Sequence, residues 1–149
     1  MKAVTVHEVL DSTLDAPAHV EAVAVDVARK AGFRDGDLDQ ISLATHETTT
    51  NAVIHGNRYR REKKVFVAIS MTQDRFTITI ADEGDGFDPE TLPDPLAPQR
   101  LCGSSGRGVY LSRALMDEYH VRPRDAGGTE VTLVKYLRPQ VIDSAARKS

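Results

Sequence analysis

HETTTNAVIHG, residues 46–56, decides the fold of this chain. It closes a run in which Leu38, Ile41, Thr45, Thr48 and Ala52 recur at helical spacing. Within it Glu47, Asn51 and His55 stand four residues apart. On a helix such residues lie within about 40° of one another, so the three share a face. The stripe around Thr48 lies roughly 100° round from Glu47 by the same geometry. A polar trio therefore runs along the margin of the core. Taken alone, the three are as readily the solvated residues of a surface helix. His46–Glu47 also opens an HExxH zinc pattern, but position 50 is Thr and the second ligand is absent.

Outward from this stretch the elements alternate. The helix itself is expected to begin near Asp37, where Asp37 and Gln40 have capping-box spacing, and to stop at Gly56 and Asn57. A preceding helix is expected from Asp15 to Ala31, with Asp15 as cap, Pro17 in the first turn and Gly32 at its end. A short strand over 3–9 comes before it. Downstream, VFVAISM (65–71) and FTITIA (76–81) alternate as strands across a tight hairpin. Residues 82–105 carry four prolines and little periodicity, as a working loop does. A third helix fits 106–118, and strands fit 119–122 and 129–136. The fold class expected is α+β: a two-layer α/β sandwich, its sheet mixed but mostly antiparallel, with helices packed on one face.

Composition narrows the function. The chain has 149 residues, 40% hydrophobic and 28% charged, which suits one soluble domain. We expect a single domain over 1–138 and a polar tail over 139–149. The net charge of −3 argues against direct nucleic-acid or anionic-membrane binding. The basic run Arg58, Arg60, Arg61, Lys63 and Lys64 reads as a solvated loop. Cys102 is the only cysteine, which excludes an intrachain disulfide and suits a reducing, cytoplasmic setting. The start MKAVTVHEVLDST lacks the basic opening and apolar block expected of a secretory signal, and no apolar run is of bilayer length.

Three glycine-bearing segments frame the polar helix. DEGDGF (82–87) places Asp82 at a strand end, with Gly84 and Gly86 able to turn sharply and admit a ligand. GSSGRGV (103–109) leads into a helix, whose exposed amides and Arg107 favour anions. GGTEV (127–131) enters the last strand with Thr129. Each signal alone has a plain alternative: a Gly/Asp-rich turn, an ordinary helix start, an ordinary strand residue.

Their order resembles the Bergerat ATP-binding fold of gyrase, heat-shock chaperone, histidine kinase and mismatch-repair ATPases, over about residues 12–136. ETTTNAVIHG, DEGDGFDPE and GRGVYLSRALMDEYHV look more narrowly like the small bacterial anti-sigma serine kinases of the RsbW and SpoIIAB type. The resemblance implies ATP and Mg²⁺ as cofactors. It makes Asn51 the metal ligand and Glu47 the catalytic residue that orients or deprotonates a seryl hydroxyl. Asp82 would accept the adenine amino hydrogen, Gly84 and Gly86 would give the base room, and Thr129 would complete the adenine contact. Gly106, Arg107, Gly108 and Val109 would cover the phosphates under a lid of residues 88–105. His55 receives no firm role and is expected near the phosphates or packed against the loop.

The implied partners are a sigma factor and an anti-anti-sigma protein of the STAS class, with a homodimer possible. One departure bears on them. Such kinases often present an Arg from the first helix to the sigma factor, whereas this helix carries His19, Glu21 and Asp26 in its early turns, with Arg29 and Lys30 only later. The function expected is an anti-sigma protein-serine kinase. The alternative is an ATP-liganded module that sequesters a regulator with little transfer.

Overall fold

The computed structural model describes residues 4–84 and 111–138. The elements are β1 (Val4–Asp11), α1 (Ala16–Ala31), α2 (Asp35–Asn51), a π-helical turn (Ala52–Gly56), β2 (Lys64–Thr72), β3 (Arg75–Ala81), β4 (Glu118–Pro123) and β5 (Thr129–Tyr136). Residues 111–115 are helical. Gly86, Cys102, Gly106, Arg107, Gly108, Val109, the lid over 88–105 and the tail from 139 lie outside the described residues. Among the described residues, no helix is long and apolar enough to cross a membrane.

The five strands form one sheet in the order β1-β2-β3-β5-β4, and each of the four neighbouring pairs is antiparallel. The expectation from sequence is a mixed sheet. Strands β3 and β4 do run the same way, but β5 lies between them and pairs antiparallel with both, so no parallel ladder forms among the described residues. The β2–β3 turn is tighter than the sequence suggests. Thr72 pairs with Arg75, leaving only Gln73 and Asp74 in the turn.

Alternation sets the core. Val65, Val67, Ile69 and Met71 of β2 are buried together with Phe76, Ile78 and Ile80 of β3 and Leu133 of β5. Against them lie Val20, Ala24 and Ala28 of α1 and Leu38, Ile41 and Ala44 of α2. The alanines let the helices sit close to the sheet, and Phe33 meets Phe76 edge to face at 6.2 Å. Each large apolar side chain buried in this way contributes roughly 1.5–3 kcal/mol.

Two helix starts differ from expectation. The Asp15 side chain makes no capping bond, although its carbonyl accepts the His19 amide at 3.2 Å. Helix α2 begins at Asp35, two residues early, and the Asp37–Gln40 box does not form. The reason is Lys135, which is buried on β5. Its ammonium needs acceptors, and it donates to Gln40 Oε1 and to the Leu115 carbonyl at 2.7 Å, with Asp37 4.0 Å away. Gln40 is thereby drawn across to the sheet. The same contact holds the end of the helical segment 111–115, which stops before 118 as the chain enters β4. Gly32 ends α1 as expected, with φ of 114°.

Candidate active site

The polar margin of α2 survives folding. Glu47 and Asn51 are half-buried, beside buried Thr45, Thr48 and Ala52, while His55 stands exposed. The helix then widens. Thr49 and Thr50 donate their hydroxyls to the Thr45 and His46 carbonyls at 2.8 Å, contacts that bend helices. Directly afterwards the π turn closes with the Asn57 amide bonded to the Ala52 carbonyl at 2.8 Å. Such turns recur at functional sites because they re-aim the residues beyond them. His46, at the start of the abortive zinc pattern, instead pairs with Glu21 of α1 at 3.0 Å.

Gly56 ends the π turn, and there the chain meets Asp82. A Cβ on Gly56 would lie 2.3 Å from Asp82 Oδ2. A Cβ on Gly84 would lie 2.0 Å from the Gly56 carbonyl oxygen, and one on Gly128 1.9 Å from the Asp82 carbonyl oxygen. All three distances are far inside van der Waals contact. The π turn after α2, the end of β3 and the β4–β5 turn therefore converge around Asp82, its carboxylate on one side and its backbone on the other, and only glycine fits at each approach. The space at Gly84 is filled by protein backbone.

Asp82 itself is 6% exposed. Its Oδ1 accepts the amides of Gly84 at 2.9 Å and Thr129 at 3.2 Å. Its own amide donates to the Thr129 carbonyl at 2.9 Å, extending the β3–β5 ladder by one rung. Arg124 donates to the Asp82 carbonyl at 3.0 Å and stacks 4.7 Å over the Phe66 ring. Among the described residues, nothing donates to Asp82 Oδ2. Burial raises the Asp82 carboxyl above the ordinary aspartate range, opposed by the Gly84 and Thr129 amides and by the charges of Arg124 and Lys63. The result is an oriented carboxylate with one oxygen anchored by two amides and the other without a donor among the described residues.

The structure thus brings Asp82, Gly84 and Thr129 together, with Glu47 and Asn51 on the helix that leads into the same cluster. Ser112 fastens the helical segment 111–115 to α2. Its hydroxyl lies 3.2 Å from that of Thr48, next to Glu47 in the chain, and 3.5 Å from the Ala44 carbonyl. Among the described residues, no group of three His, Cys, Asp or Glu side chains stands ready to hold a metal.

Four participants escape a reading of the sequence. Gly56 and Asn57 read only as a helix stop, Arg124 carries no signal, and Lys135 looks like an ordinary strand residue. The HG pair after the polar helix is the sole available hint of a close approach.

Comparison with known proteins agrees with this geometry. The family model described as histidine kinase-like ATPase domain matches residues 10–135. The chain is 30% identical over 139 residues to serine-protein kinase RsbW of Bacillus subtilis, covering 85% of this chain and 86% of that protein. It is 32% identical over 143 residues to serine-protein kinase RsbW of Bacillus licheniformis, covering 87% and 88%. A solved structure of RsbU and RsbW domains from Mycobacterium tuberculosis superposes with a TM-score of 0.65 at 24% identity, over 91% of this chain and 33% of that longer one. The mycobacterial sensor histidine kinase MprB shares the fold at a TM-score of 0.54 and 17% identity, over 91% of this chain and all of that one.

Proposed function

This chain belongs to the histidine kinase-like ATPase family, in its RsbW serine-protein kinase branch, and we propose that it is a Mg·ATP-dependent anti-sigma protein-serine kinase. It would bind a sigma factor and phosphorylate a serine on an STAS-domain anti-anti-sigma protein, in the cytoplasm. The observation that carries the ATP reading is Asp82: a buried carboxylate with Oδ1 fixed by two amides and Oδ2 without a donor among the described residues. An exocyclic amine such as that of adenine is the donor such an oxygen takes.

When bound, Mg·ATP supplies the phosphoryl group and part of the charge neutralisation that its transfer needs. The chain's own residues bind and orient. Asp82 Oδ2 would accept from the base, and Thr129, locked to Asp82 through both backbone groups, would hold the second edge of that base. The Asn51 amide oxygen would hold the metal. Gly106, Arg107, Gly108 and Val109, which lie outside the described residues, would offer amides and a guanidinium to the phosphates. Glu47, one turn before Asn51, takes the proton of the acceptor hydroxyl or aligns it, within hydrogen-bond reach once the partner docks.

We infer self-association too, since β1 is a sheet edge with Val9 62% exposed. Sedimentation of the purified protein tests it, and a monomer at all concentrations would discard it.

The kinase reading is tested by incubating the protein with labelled ATP and a candidate STAS-domain protein, with and without Mg²⁺. Label on a partner serine, lost on chelation, is the expected result. Stable binding without label would replace the kinase by the sequestering module.

A further inference from the structure

Asn57 is 1% exposed, although it comes after a helix end in a charged loop. Every polar group of its carboxamide is used. Nδ2 donates to Ser12 Oγ at 2.7 Å and to the Lys64 carbonyl at 2.9 Å, with the Lys63 carbonyl at 3.4 Å. Oδ1 accepts the Glu83 amide at 2.7 Å. Ser12 in turn donates to the Lys63 carbonyl at 2.6 Å. Glu83 is held a second time, because its Oε1 accepts the Lys64 amide at 2.5 Å. The side chain therefore joins the residue after β1, the start of β2 and the loop just after β3. Immediately beyond it Arg58 and Tyr59 take positive φ angles of 51° and 61°, uncommon for residues with side chains. The chain is bent sharply there to leave Asn57 inside.

We propose that Asn57 is a positioning residue for the base-binding end of the nucleotide site, acting through Glu83 on Asp82 and Gly84. Glu83 lies between the two residues that shape that pocket. Its amide is tied to Asn57, so the Asp82–Glu83 peptide cannot rotate without breaking a partly buried bond. Gly56, on the other side of Asn57, presses its carbonyl against Gly84. One carboxamide thus sets the relative position of both walls around Asp82. Only an amide matches this surround, which offers an N–H on one side and carbonyls and a hydroxyl on the other. A carboxylate of the same shape would face the Lys63 and Lys64 carbonyls with no proton to give.

The inference rests on the ATP reading of the site. The test uses Asn57→Ala and Asn57→Asp, with Ser12→Ala as a milder variant that leaves the Asn57–Glu83 bond intact but removes a partner of Nδ2. Hydrogen exchange of the nucleotide-free proteins is read first. The Glu83 and Gly84 amides should exchange at least about tenfold faster in the Asn57 variants, while the β2–β3 ladder keeps its protection. Titration with ATP and with GTP, well below each melting temperature, is read second. Affinity for ATP should fall at least about tenfold and the preference for ATP over GTP should shrink, with a larger change in KM than in kcat. Ser12→Ala should shift both readings the same way by less, and it decides the matter if the Asn57 variants do not fold.

A merely structural asparagine would lower the melting temperature while the folded fraction kept the parental affinity and base preference. That result, or unchanged exchange at Glu83, overturns the inference alone. A parental protein that binds neither nucleotide overturns the ATP reading and the inference with it.

Discussion

Gly56 and Asp82 stand so close that a Cβ on the glycine would lie 2.3 Å from Asp82 Oδ2, the carboxylate oxygen with no donor among the described residues. The φ at Gly56 is not in the left-handed region, so alanine there suffers no backbone strain, only this collision. Gly56→Ala should push the carboxylate aside and cost about 1–3 kcal/mol of stability, as overpacking does. A thermal melt with and without Mg·ATP checks it. The parental protein should gain roughly 2.7 kcal/mol at about a hundredfold excess over the dissociation constant, and the variant should gain little.

Asp82→Asn should separate binding from stability. Burial raises the carboxyl, so the folded state holds the Asp82 proton more tightly than the unfolded chain does. Its contribution to stability is therefore greatest in acid and declines as pH rises from the ordinary aspartate range through the raised value. Asparagine carries no such titration. Near pH 7 the nucleotide-free variant should melt at or above the parental temperature, and that advantage should shrink on acidification. It should bind ATP poorly, because an NH₂ replaces the accepting oxygen. Parental ATP affinity in the variant would remove Asp82 from the site.

Glu47 and Asn51 should fail in different ways. Glu47→Gln keeps the shape and should leave ATP affinity near parental while phosphotransfer falls about 10²–10⁴-fold, the usual worth of a positioned acid or base. Asn51→Ala should instead weaken nucleotide binding in the presence of Mg²⁺. Equilibrium dialysis and a labelled-phosphate assay on both variants distinguish the two roles. A Glu47→Gln protein with parental turnover contradicts the assignment.

Lys135→Met tests the tie between the helices and the sheet. Methionine fills similar space but releases Gln40 and the Leu115 carbonyl. Leaving partly buried acceptors unpaired costs about 1–3 kcal/mol, which a urea titration would show as a lower midpoint at constant slope. Asp37 is half-exposed, so no isolated buried charge remains to enlarge the effect.

Much is legible before folding because it is local. Alternation in 65–71 and 76–81 marks two strands, and Val65, Val67, Ile69, Met71, Phe76, Ile78 and Ile80 form the buried face of the sheet. The 3.6-residue rhythm of α2 puts Glu47 and Asn51 at the edge of the core, where they lie half-buried. The order of the glycine segments points to the family, and the chain belongs to it. Periodicity and turn chemistry reach only a few residues along the chain, and these features need no more.

The partners of Asn57, Arg124 and Lys135 needed the tertiary structure. Glu83 is 26 residues from Asn57, Asp82 is 42 from Arg124, and Gln40 is 95 from Lys135. No short-range pattern specifies which carbonyl or amide arrives beside a side chain after the sheet closes. The capping box at Asp37 failed for the same reason: a buried ammonium from β5 claimed Gln40, and satisfying it outweighed a local bond at a solvated helix end. Sequence determined which segments are helix and strand and that Glu47 and Asn51 lie at the edge of the core. Only the insertion of β5 between β3 and β4 brought Thr129 and Gly128 against Asp82, because that contact depends on strand order and not on any residue's neighbours in the chain.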